Sequence, residues 1–235
     1  MKKLQLLTFL LVFSYTALAD GIWVNYTFKT SWENRTTVGN LFENYYETDF
    51  GKSFRGLMLL NAFVVNGRDP STHNAAFLYK NEKDFENRRS AASTSDDFKK
   101  LISELTTKVE FVDETIFSHV AGYGLPMEQS KQWIGVAVEV RDLAKYQAVM
   151  KEISESEIAD VASFDLWGVV AGDTPGITHY ITIGLDSRAD FNSNEAVRKI
   201  FAEVDKKASD IRTLKGMVYA DTVLVRGSLK SADVR

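Results

Sequence analysis

Two stretches of the chain repeat one another: residues 63–74 read FVVNGRDPSTHN, and residues 168–180 read GVVAGDTPGITHY. Val-Val-x-Gly and the proline recur at an offset of 105 residues, and Thr-His recurs at 106 after one inserted residue. Outside these stretches Trp23 pairs with Trp133 at an offset of 110, in the same chain order. Because chance matches would not keep this order, the pattern predicts an internal duplication.

Each copy predicts the same order of strands and helices. In the second copy, residues 133–140 alternate with period two, which indicates a strand, and residues 142–154 place apolar side chains at helical spacing. The remaining predicted elements of this copy are strands at 164–171, 179–185 and 217–225 and a helix at 194–211. The first copy predicts strands at 22–28, 57–65, 75–79 and 115–120, with helices around 38–45 and 98–109. Both copies therefore read as βαββαβ.

One segment of the first copy departs from this pattern. Residues 88–97 are polar and rich in small residues, and they predict a loop insertion or a frayed helix start. The predicted domains are a first repeat at 20–122, a linker at 123–131 and a second repeat at 132–235, preceded by residues 1–19.

Residues 1–19 have the three parts of a secretory signal peptide. Two lysines are followed by an apolar run at 4–13 and by an Ala-x-Ala ending, and the apolar run is too short for a permanent membrane anchor. We expect cleavage after Ala19 and export, either to a Gram-negative periplasm or as a secreted protein.

Composition excludes several partners. Without the two lysines of the signal, the net charge is −6, which argues against nucleic acid and against electrostatic docking on anionic lipid once the signal is cleaved. The chain has no Cys, so disulfides and thiolate metal sites are excluded. No zinc-ligand spacing or phosphate-binding glycine loop occurs, and residues 51–56 lack the spacing of a nucleophile elbow.

A βαββαβ unit is the ferredoxin-like motif, a four-stranded antiparallel sheet with both helices on one face. From residue 21 to about 227, the order, repeat and spacing resemble the dimeric α/β-barrel superfamily in a tandem, single-chain form. The closest types are antibiotic-biosynthesis-monooxygenase-like and NIPSNAP-like proteins, and other members include haem-degrading oxygenases and chlorite dismutases. The resemblance implies an α+β fold in which two sheets face each other as a barrel. Such a chain would be a monomer, or a homodimer through its outer surfaces.

Three histidines and one arginine are the candidate catalytic residues. His73 and His179 occupy the same place in the two copies, each after a threonine. They are candidates for a base or an axial haem ligand, or alternatively for a structural bond to the loop backbone. His119 ends the fourth strand of the first copy, where the second copy has Arg226. Because a single site in a duplicated barrel must be asymmetric, this pair is of particular interest.

Tryptophans supply the candidate ligand-binding residues. The alternation of the first strands directs Trp23, Asn25 and Trp133 toward the barrel interior, and Trp167 lies on a middle strand. Such residues could hold a flat aromatic ligand, or the indoles could simply fill the barrel centre. The haem-degrading branch uses an Asn, a Trp and a His in such a cavity, although no spacing match is found here.

Three functions remain open from the sequence. The first is binding or transformation of a small aromatic or hydrophobic molecule in a central cavity, of the monooxygenase type and without a cofactor. The second is a non-catalytic exported interaction module with a packed barrel. The third is a haem-binding protein. No catalytic motif decides whether the protein is an enzyme.

Overall fold

The computed structural model describes residues 21–155, 160, 162–172, 175–186 and 195–235. The predicted signal peptide, and the first residue of the helix predicted at 194–211, lie outside this range. The described strands are β1 (Ile22–Thr30), β2 (Leu57–Val65), β3 (His73–Tyr79), β4 (Val109–Gly124), β5 (Gln132–Val140), β6 (Ser163–Ala171), β7 (His179–Leu185) and β8 (Arg212–Gly227). The described helices are α1 (Arg35–Glu47), α2 (Asp49–Lys52), α3 (Glu82–Thr94), α4 (Asp96–Leu105), α5 (Leu143–Ser154) and α6 (Glu195–Ala208).

The eight strands form one closed antiparallel barrel in the order β1-β3-β2-β8-β5-β7-β6-β4. Within each half the order is fourth, first, third, second, which is the ferredoxin-like order. The halves are joined where β2 pairs with β8 and where β4 pairs with β6. The predicted fold class, two ferredoxin-like repeats whose sheets face each other as a barrel, is confirmed.

The alternation of β5 sorts its side chains between two cores, as predicted. Ile134 and Val136 lie in the core between the sheet and the helices of the second half. Trp133 belongs to the cluster inside the barrel. Each strand therefore separates an inner barrel core from an outer helix–sheet core.

The described parts of the duplicated motif have the same features in both halves. Gly67 and Gly172 have φ angles of 65° and 81°, in the left-handed region that glycine adopts without a Cβ clash. After each turn a threonine hydroxyl accepts a hydrogen bond from the end of the first strand. Thr72 accepts from the amide of Thr30 at 3.0 Å, and Thr178 accepts from the amide of Val140 at 2.8 Å. The repeated residues thus tie the third strand to the first.

Residues 88–97 are wrongly interpreted from sequence as a loop insertion or frayed helix start. They form the second half of α3 and the beginning of α4. Both helices have side-chain caps at their N-termini, because Asn81 accepts from the amide of Asp84 at 2.9 Å and Ser95 accepts from the amide of Phe98 at 3.2 Å. The small polar residues of this segment therefore mark the end of one helix and the cap of the next.

Several predicted boundaries also shift. β4 and β8 are 16 residues long each, and β4 enters the predicted linker at 123–131 and ends at Gly124. The helix predicted to end at 109 ends at Leu105, because β4 begins at Val109. One end of each long strand pairs with a strand of its own half, and the opposite end pairs with a strand of the other half. This double pairing explains why the two strands are so long.

Residues 228–235 fold across one end of the barrel. Leu229 and Val234 are buried against the barrel cluster, and Arg235 donates to Asp165 of β6. Among the described helices, none combines the length and the apolar character that crossing a bilayer requires.

Candidate functional site

The predicted ligand-binding residues do meet inside the barrel. Trp23 lies edge-on to Trp167, with ring centroids 5.4 Å apart, and Trp133 lines the same small chamber. Asn25 lies beside it and accepts a hydrogen bond from the amide of Asn74 at 2.6 Å. The chamber they leave has a volume of about 90 Å³. Pockets for drug-sized molecules measure about 300 to 1,000 Å³, so the barrel centre has no room for a flat aromatic ligand.

Polar atoms in this chamber are only partly paired. The indole N–H of Trp133 donates to the hydroxyl of Thr222 at 3.1 Å, and that of Trp167 donates to the hydroxyl of Thr182 at 3.0 Å. Within the described chain, the buried indole N–H of Trp23 and the amide oxygen of Asn74 have no partner. A chamber of this size and polarity has room for a few ordered waters.

His119 is a buried member of a hydrogen-bonded network rather than a group open to a cavity. Its Nε2 lies 3.2 Å from Oδ1 of Asp165, and its ring lies edge-on to Trp167 at 4.8 Å. Asp165 is fully buried and also accepts from Ser163 and, through both carboxylate oxygens, from Arg235. A carboxylate held by this many donors orients the imidazole and closes the barrel end.

Arg226 does not join His119 in one site. Its guanidinium donates to Glu43 of α1 at 2.7 Å and to the carbonyl of Val225 at 2.9 Å. In the closed barrel, three strands separate β4 from β8 in either direction. The two residues that differ between the halves therefore lie on opposite sides of the molecule.

His73 and His179 have equivalent local contacts. Nδ1 of His73 lies 2.9 Å from the hydroxyl of Thr72, and Nδ1 of His179 lies 2.8 Å from the hydroxyl of Thr178. Burial lowers the pKa of His73 to about 4, with a smaller contribution from nearby Arg35, and burial also lowers the pKa of His179. Both rings are therefore neutral at pH 7, and their bonds belong to the duplicated turn.

A much larger cavity lies elsewhere, between the sheet and the helices of the first half. Its volume is about 670 Å³, within the range of small-molecule pockets. Eleven of its lining side chains are aromatic: Tyr26, Phe28, Phe42, Tyr45, Tyr46, Phe54, Phe77, Tyr79, Phe85, Phe98 and Phe111. We call this space the first-half cavity.

Helix α3 covers the first-half cavity without filling it. In its sequence, EKDFENRRSAAST, Phe85 is the only large apolar residue, and Ala92 is the only buried one. Phe85 packs edge-on to Tyr79 at 5.3 Å. The other α3 residues that face the cavity are Arg88, Arg89 and Ser93, which leave space that leucines would fill. The helix therefore covers the aromatic side chains of the cavity with a largely polar face.

Tyrosine hydroxyls give the cavity its polar groups. Burial raises the pKa of Tyr26, Tyr46 and Tyr79 well above the ordinary value for a phenol. These side chains therefore remain neutral hydrogen-bonding groups across the physiological pH range. The Tyr26 hydroxyl donates to Glu114 at the rim.

A haem does not fit this lining. Histidine, cysteine and methionine are absent from the described residues that line the cavity. A tyrosinate ligand is disfavoured, since burial raises the pKa of the phenols. The nearest histidine along the sheet, His73, stacks against Phe28 at 5.6 Å and lies outside the lining. Throughout the described ranges, no group of three or more His, Asp or Glu side chains has the geometry to hold a metal ion.

Sequence reasoning missed the first-half cavity. The available signal was the length of the polar segment that follows the third strand of each repeat. In the first repeat this segment spans residues 80–95, and in the second repeat it spans only residues 186–194. A helix with small and polar residues on its inner face leaves space beneath it, whereas the tryptophans indicated the barrel centre.

Comparisons with known proteins show similarity only in structure, since no protein-family model and no curated protein sequence matches the chain. A Fusobacterium nucleatum protein, provisionally named a monooxygenase, superposes with a TM-score of 0.65 at 14% identity, covering 90% of this chain and 97% of its own. An anthrone oxidase-like protein superposes with a TM-score of 0.54 at 10% identity, covering 89% and 94%. A mutant chlorite dismutase from Candidatus Nitrospira defluvii, in complex with cyanide, gives 0.54 at 9% identity, covering 89% and 92%.

At these identities the likeness concerns the fold. It extends over nearly the whole described chain and agrees with the strand order of the closed barrel. The chain therefore has a dimeric α/β-barrel fold, with both halves of the barrel contained in one polypeptide.

Proposed function

We propose that this protein binds a small aromatic or hydrophobic molecule in the first-half cavity. The observation that carries the proposal is the cavity itself: about 670 Å³ of space with eleven aromatic side chains in its lining. Burying a planar apolar molecule against such walls is favoured by the hydrophobic effect and by ring stacking. The proposed site is therefore the helix–sheet layer of the first half and not the barrel centre, which is too small.

A dye that fluoresces on entering apolar sites tests this proposal. N-phenyl-1-naphthylamine, which is neutral, should bind the folded protein with a single saturable site. Ala92 of α3 is buried and lines the cavity, so Ala92→Trp should fill part of the space and weaken dye binding by about tenfold or more. Ala91 is exposed and absent from the lining, so Ala91→Trp is the matched control and should leave binding unchanged. Equal binding by wild type and Ala92→Trp would refute the proposal.

Oxidation of the bound molecule is a natural extension of the proposal. Two structural neighbours carry names that refer to oxidation, and one of those names specifies anthrone. Anthrone is therefore the first substrate to test, with oxygen uptake as the measurement. Uptake should require the folded protein and should be lost in Ala92→Trp but not in Ala91→Trp. Binding without uptake would restrict the function to that of a carrier or sensor.

The barrel interior supports the alternative of a non-catalytic module in one respect. Its chamber of about 90 Å³ lies within a cluster of buried rings that includes Phe117, Trp133 and Trp167. We therefore assign the barrel a scaffold role, and ligand binding belongs to the outer layer alone.

Export remains part of the proposal. Residues 1–19 have the composition of a secretory signal. Mass spectrometry of the protein recovered from a cell envelope or culture medium should find Asp20 as the N-terminus. An intact Met1 terminus on the mature protein would contradict export by cleavage.

A further inference from the structure

Arg88 is a charged side chain whose hydrogen-bond partners are all neutral. Arg88 lies on α3, and its guanidinium donates to the hydroxyl of Tyr45 at 2.8 Å, the hydroxyl of Ser53 at 3.0 Å and the carbonyl of Phe50 at 3.0 Å. The guanidinium also lies 3.7 Å from the centroid of the Phe50 ring. Three of its five N–H donors are thus used, and no carboxylate is among its bonded partners.

Arg89, the next residue, places a second guanidinium on the same wall. It lines the first-half cavity and makes no hydrogen bond or ion pair with the described part of the chain. The nearest acidic residues of the lining, Asp113 and Glu114, are exposed at the rim. Asp113 accepts from the hydroxyl of Thr115 at 3.0 Å, and Glu114 accepts from Tyr26. Neither acid forms an ion pair with the two arginines.

The second half contains an arginine–tyrosine pair in which a carboxylate balances the charge of the arginine. There Arg212 donates to the hydroxyl of Tyr146, on the first helix of that half, as Arg88 does to Tyr45 on α1. Arg212, however, also forms an ion pair with Asp205 of α6. The first half has the arginine and the tyrosine, but its nearby carboxylate, Asp97, accepts from the amide of Phe50 at 3.4 Å and forms no ion pair with Arg88.

A cation that is partly removed from water is stabilised by a nearby anion, and aromatic walls provide only part of that stabilisation. Two arginines on consecutive residues, neither of them ion-paired with a carboxylate of the described chain, line one aromatic cavity and match an oxyanion attached to a flat apolar body. We propose that the ligand of the first-half cavity is an aromatic monoanion, and that Arg88 and Arg89 bind its carboxylate or sulfonate group. This inference rests on the proposed function and specifies the class of its ligand.

Two dyes that share one ring system separate the charge from the apolar body. 8-Anilinonaphthalene-1-sulfonate carries a sulfonate, and N-phenyl-1-naphthylamine is the same anilinonaphthalene without it. The wild-type protein should bind the sulfonate about tenfold more tightly than the neutral dye at low salt, as expected for charge-assisted hydrogen bonds. Near-ultraviolet circular dichroism must show native packing, because the sulfonate dye also binds partly unfolded chains.

The deciding variant is Arg89→Gln, which alters an exposed side chain that holds no other part of the structure. It should weaken binding of the sulfonate dye by about fivefold and leave the neutral dye unchanged. Lys83 is exposed on the same helix but absent from the lining, so Lys83→Gln removes an equal charge as the matched control. That control should leave both affinities unchanged.

The outcomes distinguish the two proposals. If the neutral dye binds while the sulfonate has no advantage, or if Arg89→Gln and Lys83→Gln weaken the sulfonate equally, the anion-binding inference is overturned and the cavity proposal stands. If neither dye binds, the proposed function itself fails. A selective loss of the sulfonate in Arg89→Gln would support both.

Discussion

The helix–sheet layers of the two halves share one strand order but differ in what fills them. In the second half, Tyr146, Met150 and Ile153 of α5 pack directly on the aliphatic side chains of β5, β6 and β7. In the first half, the sheet presents mainly aromatic rings, and α3 holds a polar face over the cavity in front of them. The two copies therefore share a backbone topology, while the helix–sheet layer is packed in the described part of one copy and holds a cavity in the other.

The largest expected effect compares a packed residue with a cavity-lining one. Leu166 is fully buried in the second-half core, and Leu166→Ala should lower the free energy of unfolding by about 3 kcal/mol through lost contacts and a new void. Ile102 lines the first-half cavity, and Ile102→Ala should cost only about 1 kcal/mol because it already faces open space. Urea denaturation monitored by fluorescence measures both. Similar losses at the two sites would mean that the first-half layer is packed as tightly as the second.

A second test compares Arg212, which is ion-paired with a carboxylate, with Arg88, which is not. Asp205→Asn leaves Arg212 buried without a carboxylate, and the free energy of unfolding should fall by about 2 kcal/mol. Arg88→Met keeps the apolar contacts of the side chain and removes an uncompensated charge, so the change should stay within about 1 kcal/mol. The same denaturation measurement applies. A larger loss of unfolding free energy in Arg88→Met than in Asp205→Asn would show that the packing of α3 over the cavity depends on this arginine.

The smallest expected effect concerns the paired histidines. The pKa of His73 is about 4 when folded and about 6.5 when unfolded, so the unfolded chain binds a proton more readily as pH falls. Stability from this residue is present above about pH 6.5 and is lost toward pH 4, with about 1 kcal/mol lost between about pH 7 and about pH 5.5. Burial lowers the pKa of His179 in the same direction.

Thermal unfolding of His73→Gln and His179→Gln across this pH range measures that effect. Each variant should lose part of the acid sensitivity of the wild type, and the larger flattening should occur in His73→Gln. An unchanged pH profile in His73→Gln would indicate that its ring is already protonated, or open to solvent, in the folded protein.

Much of the fold could be predicted from sequence. Residues 63–74 and 168–180 encode a turn that needs glycine in a left-handed conformation and a threonine hydroxyl facing the neighbouring strand, and such local requirements leave a readable trace. The period-two alternation at 133–140 likewise identified the side chains that face the barrel interior. The order βαββαβ followed from these signals.

The candidate site was harder to predict, for physical reasons. Side-chain types such as tryptophan indicate burial but carry no information about the space left between them, and the three indoles nearly fill the barrel. A cavity depends on the space that side chains leave, and because α3 has a single large apolar residue, Phe85, part of its sequence resembles a loop. The partner of His119, Asp165, comes from β6 and is itself held by Arg235, and no local pattern connects either residue to β4.

The ring of eight strands also limits how the protein can be divided. Each half closes only by pairing β2 with β8 and β4 with β6, so a half expressed alone would expose two strand edges and the indole-covered face of its sheet. Each repeated unit therefore relies on the other to cover these edges and this face. A substitution where β2 meets β8, or where β4 meets β6, therefore acts on both copies at once.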